Sequence, residues 1–136
     1  MSIAKQLRPM ESLIEGVPLV NYTIRPATVE HCDKIYTLIQ EYYSEYGIPS
    51  NRQFDKTTFR KDGFETDTPN FRCFVALSKS RAEDYNIIGF VLWFRNFIGN
   101  SNPQVWLEAL FVTKKYRQKR VEQALFEHTI QVDNYY

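Results

Sequence analysis

Two groups of residues in the second half of the chain could do chemistry, and they lie close together. The first is Glu108, a single carboxylate in the run Val105-Trp106-Leu107-Glu108-Ala109-Leu110-Phe111-Val112, whose β-branched and aromatic content reads as a strand. Strict side-chain alternation turns Glu108 to the face opposite Leu107 and Ala109, and a carboxylate in so apolar a setting is costly unless solvated or paired. The second group is Lys114-Lys115-Tyr116-Arg117-Gln118-Lys119-Arg120, five cations in seven residues. A helix is expected directly after it, because Val121, Ala124, Leu125, His128 and Val132 recur at spacings of three and four, with Glu122 in the first turn, where a carboxylate suits the helix dipole. A strand that delivers a cationic loop to a helix N-terminus can cradle a phosphate, since free backbone N–H groups, the helix dipole and basic side chains converge there. The competing reading is an ordinary solvated loop. A nuclear-import or nucleic-acid contact is outweighed by that solvated loop.

The elements that must position these residues belong to one domain. At 136 residues the chain is long enough for an independent core. With a net charge of +1, bulk electrostatics point to neither nucleic acid nor membrane as a partner. Residues 1–20 contain Lys5, Arg8, Glu11 and Glu15 and lack a long apolar run, so they read as neither secretory signal nor membrane span, and a cytoplasmic or nuclear protein is expected. His31 and His128 are far apart and offer no metal-ligand spacing; Cys32 and Cys73 fall in a helix and a strand and read as reduced core thiols.

In chain order, residues 1–20 carry Pro9, Gly16 and Pro18 and read as an arm, with the domain proper at 21–136. A strand at 21–25 is broken by Pro26, and Thr28 is placed to cap a helix whose stripe is Cys32, Ile35, Leu38, Ile39, Tyr42 and Tyr46, ending near Gly47 before Ile48-Pro49. A second, short helix follows from Asp55 as cap to Lys61. Strands at 71–77 and 87–94 flank a polar hairpin loop at 79–86, and Asn100-Ser101-Asn102-Pro103 turns the chain into the strand of Glu108. The order is β-α-α-β-β-β-α.

Leu107-Glu108-Ala109-Leu110-Phe111-Val112 followed by Arg117-Gln118-Lys119-Arg120-Val121-Glu122 resembles the acetyl-CoA segment of the GNAT acetyltransferases. The loop of that superfamily reads Q/R-x-x-G-x-G/A and holds the coenzyme's pyrophosphate on backbone amides. Ile24-Arg25-Pro26-Ala27-Thr28 before an Ile/Leu-striped helix, and Asp62-Gly63-Phe64 after the second helix, are similar to the spermidine/spermine (diamine) acetyltransferases within it. The resemblance spans residues 21–131. It implies an α/β (α+β) fold with a mixed, mainly antiparallel sheet flanked by helices. It also implies acetyl-CoA as co-substrate, contacted by Leu110, Phe111, Val112, Arg117, Gln118, Lys119, Arg120, Val121 and Glu122. Glu108 would act, often through water, on the substrate amine. Glu45 and Tyr46, where the family carries a Tyr-Glu pair, would join Glu108 in binding the amine.

Three departures accompany the resemblance. Gln118, Arg120 and Glu122 stand at glycine positions: a Cβ in a left-handed turn costs about 1–2 kcal/mol. The Glu122 charge at about 5 Å from a phosphate oxygen opposes binding by about 3 kcal/mol at an effective dielectric near 20. Ala109 replaces an aspartate that helps fix the cationic substrate, and the chain stops at Tyr136, before the family's C-terminal strand–helix–strand part. The expectation is an acetyltransferase of a diamine or polyamine with weak acetyl-CoA binding and weak or lost activity. The alternative is a non-catalytic pseudoenzyme or interaction subunit, forming a homo-oligomer or pairing with a partner protein through the open edge of the Glu108 strand.

Overall fold

Apolar runs too uniform for a one-sided sheet demand helices on both faces, and the chain supplies them. The computed structural model describes residues 21–79, 85–96 and 104–133; the expected arm at 1–20, the tip of the hairpin loop at 80–84 and the turn at 100–103 lie outside them. Four antiparallel strands, β1 (Tyr22–Pro26), β2 (Arg72–Lys79), β3 (Tyr85–Asn96) and β4 (Gln104–Val112), are ordered β1-β2-β3-β4. In β2 every residue from Cys73 to Ser78 is buried, which is the mark of a strand covered on both faces.

Helices α1 (Cys32–Tyr46) and α2 (Lys56–Gly63) cover one face, and α3 (Val121–Asp133) covers the other. On the first face, Ile35, Leu38, Ile39 and Tyr43 of α1 and Phe59 of α2 pack on Val75, Phe90, Leu92, Ala109 and Phe111. On the second, Val121, Ala124 and Leu125 pack on Ile24, Phe74, Ala76, Ile88, Val91 and Val112. The core is therefore split by the sheet; α1 and α3 are held by stripes of helical period and α2 by Phe59.

The helix boundaries have local causes. Thr28 opens a 3-10 turn at Val29–His31, where its N–H donates to His31 Nδ1 at 3.0 Å, and α1 continues from Cys32. Gly47 takes φ 60°, a conformation without a Cβ penalty, and its N–H closes α1 on the Tyr43 carbonyl. Asp55 caps α2 by accepting the Thr58 N–H at 2.7 Å. Phe59 packs in a cluster with Phe54 and Phe71, whose ring centroids are 5.6 and 5.3 Å from its own and 6.5 Å from each other. The α1 stripe departs from expectation at its end. Tyr43, one turn after Ile39, is buried, whereas Tyr46 is 60% exposed, because the last residue of α1 projects past the packed core.

Gly89 of β3 lies opposite Val112 of β4. A Cβ there would come within 2.9 Å of the Phe111 carbonyl oxygen and of Val112 Cγ2, so glycine permits the close approach beneath α3. Cys32 and Cys73 are both buried free thiols. Among the described residues, no helix is long and apolar enough to cross a membrane, and no three His, Cys, Asp or Glu side chains gather as a metal site.

Candidate functional site

Glu108 is aimed by a break in the pleat. Leu92 of β3 pairs with Ala109, but the next residue, Trp93, pairs with Leu107, so Glu108 is the extra residue of a β-bulge. A bulge interrupts alternation. Instead of opposing Ala109, as a regular strand requires, Glu108 lines the same cleft as Ala109, and the expected orientation is corrected accordingly.

That cleft, of about 210 Å³, lies between the C-terminal half of α1 (Ile39, Tyr42, Tyr43), the loop after it (Ile48, Arg52, Phe54), β3 (Phe90, Leu92) and the β4 bulge. The loop is pinned to α1 by the Phe54 N–H, which donates to the Tyr43 hydroxyl at 3.3 Å, and by the Tyr36 hydroxyl, which donates to the Phe54 carbonyl at 2.9 Å; within the loop, Gln53 Nε2 donates to the Ile48 carbonyl at 2.8 Å. Burial pushes the Tyr43 phenol above its ordinary range, so it stays protonated at neutral pH. Tyr42 and Phe111 meet edge to face at 6.0 Å, which joins the cleft wall to the end of β4.

The basic loop begins where that wall ends. Arg117 folds back: its Nε donates to the Val112 carbonyl at 2.8 Å, its guanidinium lies 5.1 Å from the Phe111 ring centroid, and it forms an ion pair with Glu45 at 2.9 Å. The hydrogen bond and the charge of Glu45 raise the already high pKa of Arg117. Arg117 is thus a strut between the loop, β4 and α1, with its charge matched inside the protein. Lys114, Lys115 and Arg120 remain exposed and form no ion pair with a carboxylate among the described residues, leaving their charge available to an anion.

Gln118 and Arg120 adopt φ of 60° and 64°. The chain therefore holds a left-handed turn at two of the three positions where the resemblance expects glycine. The cost of those Cβ atoms falls on folding, because the turn is already formed in the protein without ligand. Arg120 then opens α3, its carbonyl accepting the Ala124 N–H at 3.1 Å, and the first-turn amides of α3 have no acceptor within the helix. Successive amides next to left-handed residues form a concavity suited to a phosphate, so the backbone fits the pyrophosphate of acetyl-CoA. Glu122, in the same first turn, opposes it by charge.

The remaining sequence-derived site residues fall into two sets. Phe111, Val112 and Val121 are 4%, 2% and 0% exposed, and Leu110 is half-buried against the α3 side of the core, so these residues can meet a ligand chiefly through main chain on the β4 edge or helix end. Lys119 sits between the two left-handed residues with its Nζ 5.6 Å from the Tyr116 ring centroid. Glu45 and Tyr46 are not among the residues lining the cleft: Glu45 is engaged by Arg117, and Tyr46 rests on Tyr42 at 5.2 Å. The structure puts Tyr42, Tyr43 and Arg52 in the cleft with Glu108. Arg52 carried no signal in the sequence, since it lies in a 3-10 turn, Ser50–Arg52, with no periodicity to read.

No protein-family model matches the chain. Solved structures do. An aminoglycoside acetyltransferase from an uncultured soil metagenomic sample, in complex with sisomicin, matches at TM-score 0.64 and 17% identity over 84% of this chain and 70% of its own. The aminoglycoside N-acetyltransferase AAC(6')-Iy in complex with CoA matches at TM-score 0.64 and 19% identity, over 90% and 74%. A ribosomal-protein-alanine N-acetyltransferase from Brucella melitensis biovar Abortus 2308 matches at TM-score 0.62 and 14% identity, over 85% and 73%. The four-stranded antiparallel sheet flanked by helices is the fold of the GNAT acetyltransferases.

Proposed function

We propose that the chain is an acetyl-CoA-dependent N-acetyltransferase of a small primary amine, with weak coenzyme binding. One observation carries this reading: the β4 bulge turns Glu108 into an aromatic cleft that continues, through Tyr42 and Phe111, to a loop with left-handed residues at Gln118 and Arg120. Acetyl-CoA would supply an activated acyl thioester. Glu108, directly or through a water, takes a proton from the substrate ammonium; the freed nitrogen bonds to the carbonyl carbon, the carbon–sulfur bond breaks, and the departing thiolate takes, through water, the second proton that the nitrogen loses as the amide forms. Arg117 holds the loop against α1 and β4 during this transfer, while Lys114, Lys115 and Arg120 offset the phosphate charge. Acetyl-CoA is expected to bind more weakly than about 10 μM at low salt, because Glu122 places a negative charge in the first turn of α3, against the phosphates. Calorimetry decides that, with Glu122→Gln expected to strengthen binding.

The resemblance names a diamine or polyamine as substrate. For a dication the cleft offers one carboxylate, Glu108, with Ala109 in place of the second. A thiol-release assay on putrescine and spermidine tests it: turnover that falls about 10²-fold or more in Glu108→Gln supports the transferase reading. Absence of turnover on any amine, with acetyl-CoA unbound at millimolar concentration, refutes it.

A second reading is favoured by one observation. Among the described residues β4 pairs only with β3, and on it Trp106 and Leu107 are 46% and 38% exposed. An edge of this kind can pair with a second copy or a partner protein. Light scattering over a concentration range tests it with Leu107→Lys. Leu110 suits the test less well, because it packs against the core. A wild-type monomer at about 100 μM refutes pairing between copies of this chain.

A further inference from the structure

We infer that the cleft selects a zwitterionic amine, a small molecule carrying a carboxylate as well as the reacting ammonium, with Arg52 meeting the carboxylate and Glu108 the ammonium. This assignment rests on the proposed transfer for which end reacts, but its recognition half stands on the cleft alone. Of the ten residues that line the cleft, Arg52 and Glu108 are the charged ones, and they have opposite sign. Neither is tied up: among the described residues neither side chain has an ion pair or a hydrogen bond. Glu45, the nearby carboxylate of α1 that could have supplied a second negative charge, is neutralised by Arg117 at 2.9 Å.

The charge lining the cleft therefore sums to zero, which matches a molecule of one positive and one negative group. A diamine would leave its second ammonium facing a guanidinium with no carboxylate to offset it. The uncharged lining of the cleft includes Tyr42, Tyr43, Phe54, Ile39, Ile48 and Leu92, surfaces suited to a short methylene chain. At about 210 Å³ the cleft is smaller than the roughly 300–1,000 Å³ of drug-sized sites, which favours a single small amino acid over a long polyamine. Arginine suits the carboxylate end, because its planar fork can donate two parallel hydrogen bonds to it.

Lysine and cadaverine each carry two ammonium groups and differ by the carboxylate alone, so the pair isolates the carboxylate contact with Arg52. Calorimetric titration of each into the full chain at low salt should show lysine binding about tenfold more tightly, the lower end for a charge-assisted contact at an exposed arginine. Arg52→Gln should abolish that preference by weakening lysine alone, while Glu108→Gln should weaken both ligands. Cadaverine binding as tightly as lysine, a preference that survives in Arg52→Gln, or no lysine binding at about 10 mM overturns the inference. Acetyl transfer to the same two amines is measured separately. Transfer to both at equal efficiency overturns the zwitterion assignment and leaves the transferase reading intact. A binding preference for lysine, with no transfer to any amine and acetyl-CoA unbound at millimolar concentration, removes the transferase reading and leaves the recognition site standing.

Discussion

The two left-handed residues of the basic loop give the sharpest quantitative expectation. Gln118 and Arg120 hold φ of 60° and 64° with exposed side chains, so replacing either by glycine removes a Cβ conflict without emptying any of the core. The left-handed conformation costs an L-residue about 1–2 kcal/mol, and glycine gives back about 0.5–1 kcal/mol through its freer unfolded chain. The net gain is about 0.5–1 kcal/mol per site, or about 1–2 kcal/mol for Gln118→Gly with Arg120→Gly. For a domain of this size that corresponds to a Tm rise of about 3–8 °C, measured by calorimetric or circular-dichroism melting. Lys119, which lies between them without a positive φ, is the internal control: Lys119→Gly brings the entropic cost with no relief and should lower stability by about 0.5–1 kcal/mol. A double variant no more stable than wild type, or a Lys119→Gly variant that is stabilised equally, would show that the loop does not hold this turn. The same variants separate strain from affinity, because the turn exists before any ligand arrives. Acetyl-CoA affinity should therefore rise less in the double glycine variant than when Glu122→Gln is added to it.

Three further outcomes follow from the packing. His128 is half-buried edge-on to Phe74 at 4.6 Å, and burial lowers its pKa. The unfolded chain takes up the proton first, so stability is full above about pH 6.5 and falls as pH drops from there through the folded pKa; urea melts of wild type against His128→Gln should show that slope in wild type alone. Gly89→Ala should cost about 1–3 kcal/mol, since its Cβ would meet the Phe111 backbone carbonyl at 2.9 Å; a neutral substitution would mean that β3 and β4 can separate freely. Burial raises the pKa of both Cys32 and Cys73, so neither should react with a disulfide reagent at pH 8 until urea unfolds the chain, and prompt reaction in the native protein would contradict the packing.

The sequence by itself determined the order and type of the elements. The stripe of Cys32, Ile35, Leu38 and Ile39, the stop at Gly47, the cap at Asp55 and the strand of β-branched and aromatic residues around Glu108 are local signals, and local backbone preference was enough to place them. It also determined that the basic loop stands between a strand and a helix N-terminus. What only the tertiary structure decided was direction and partnership. Glu108 could not be aimed from alternation, because the bulge depends on how β3 registers against β4, a contact between residues distant in the chain. Glu45 and Arg117 are far apart in sequence and meet only when α1 crosses the end of β4, which removes Glu45 from the cleft and turns Arg117 into a strut. Arg52 enters the cleft because the loop after α1 is pinned back on Tyr43, and nothing within its own 3-10 turn announces that position. Periodicity reports which residues share a face of one element; the chemistry of this cleft depends on which faces meet, and that is fixed by long-range packing.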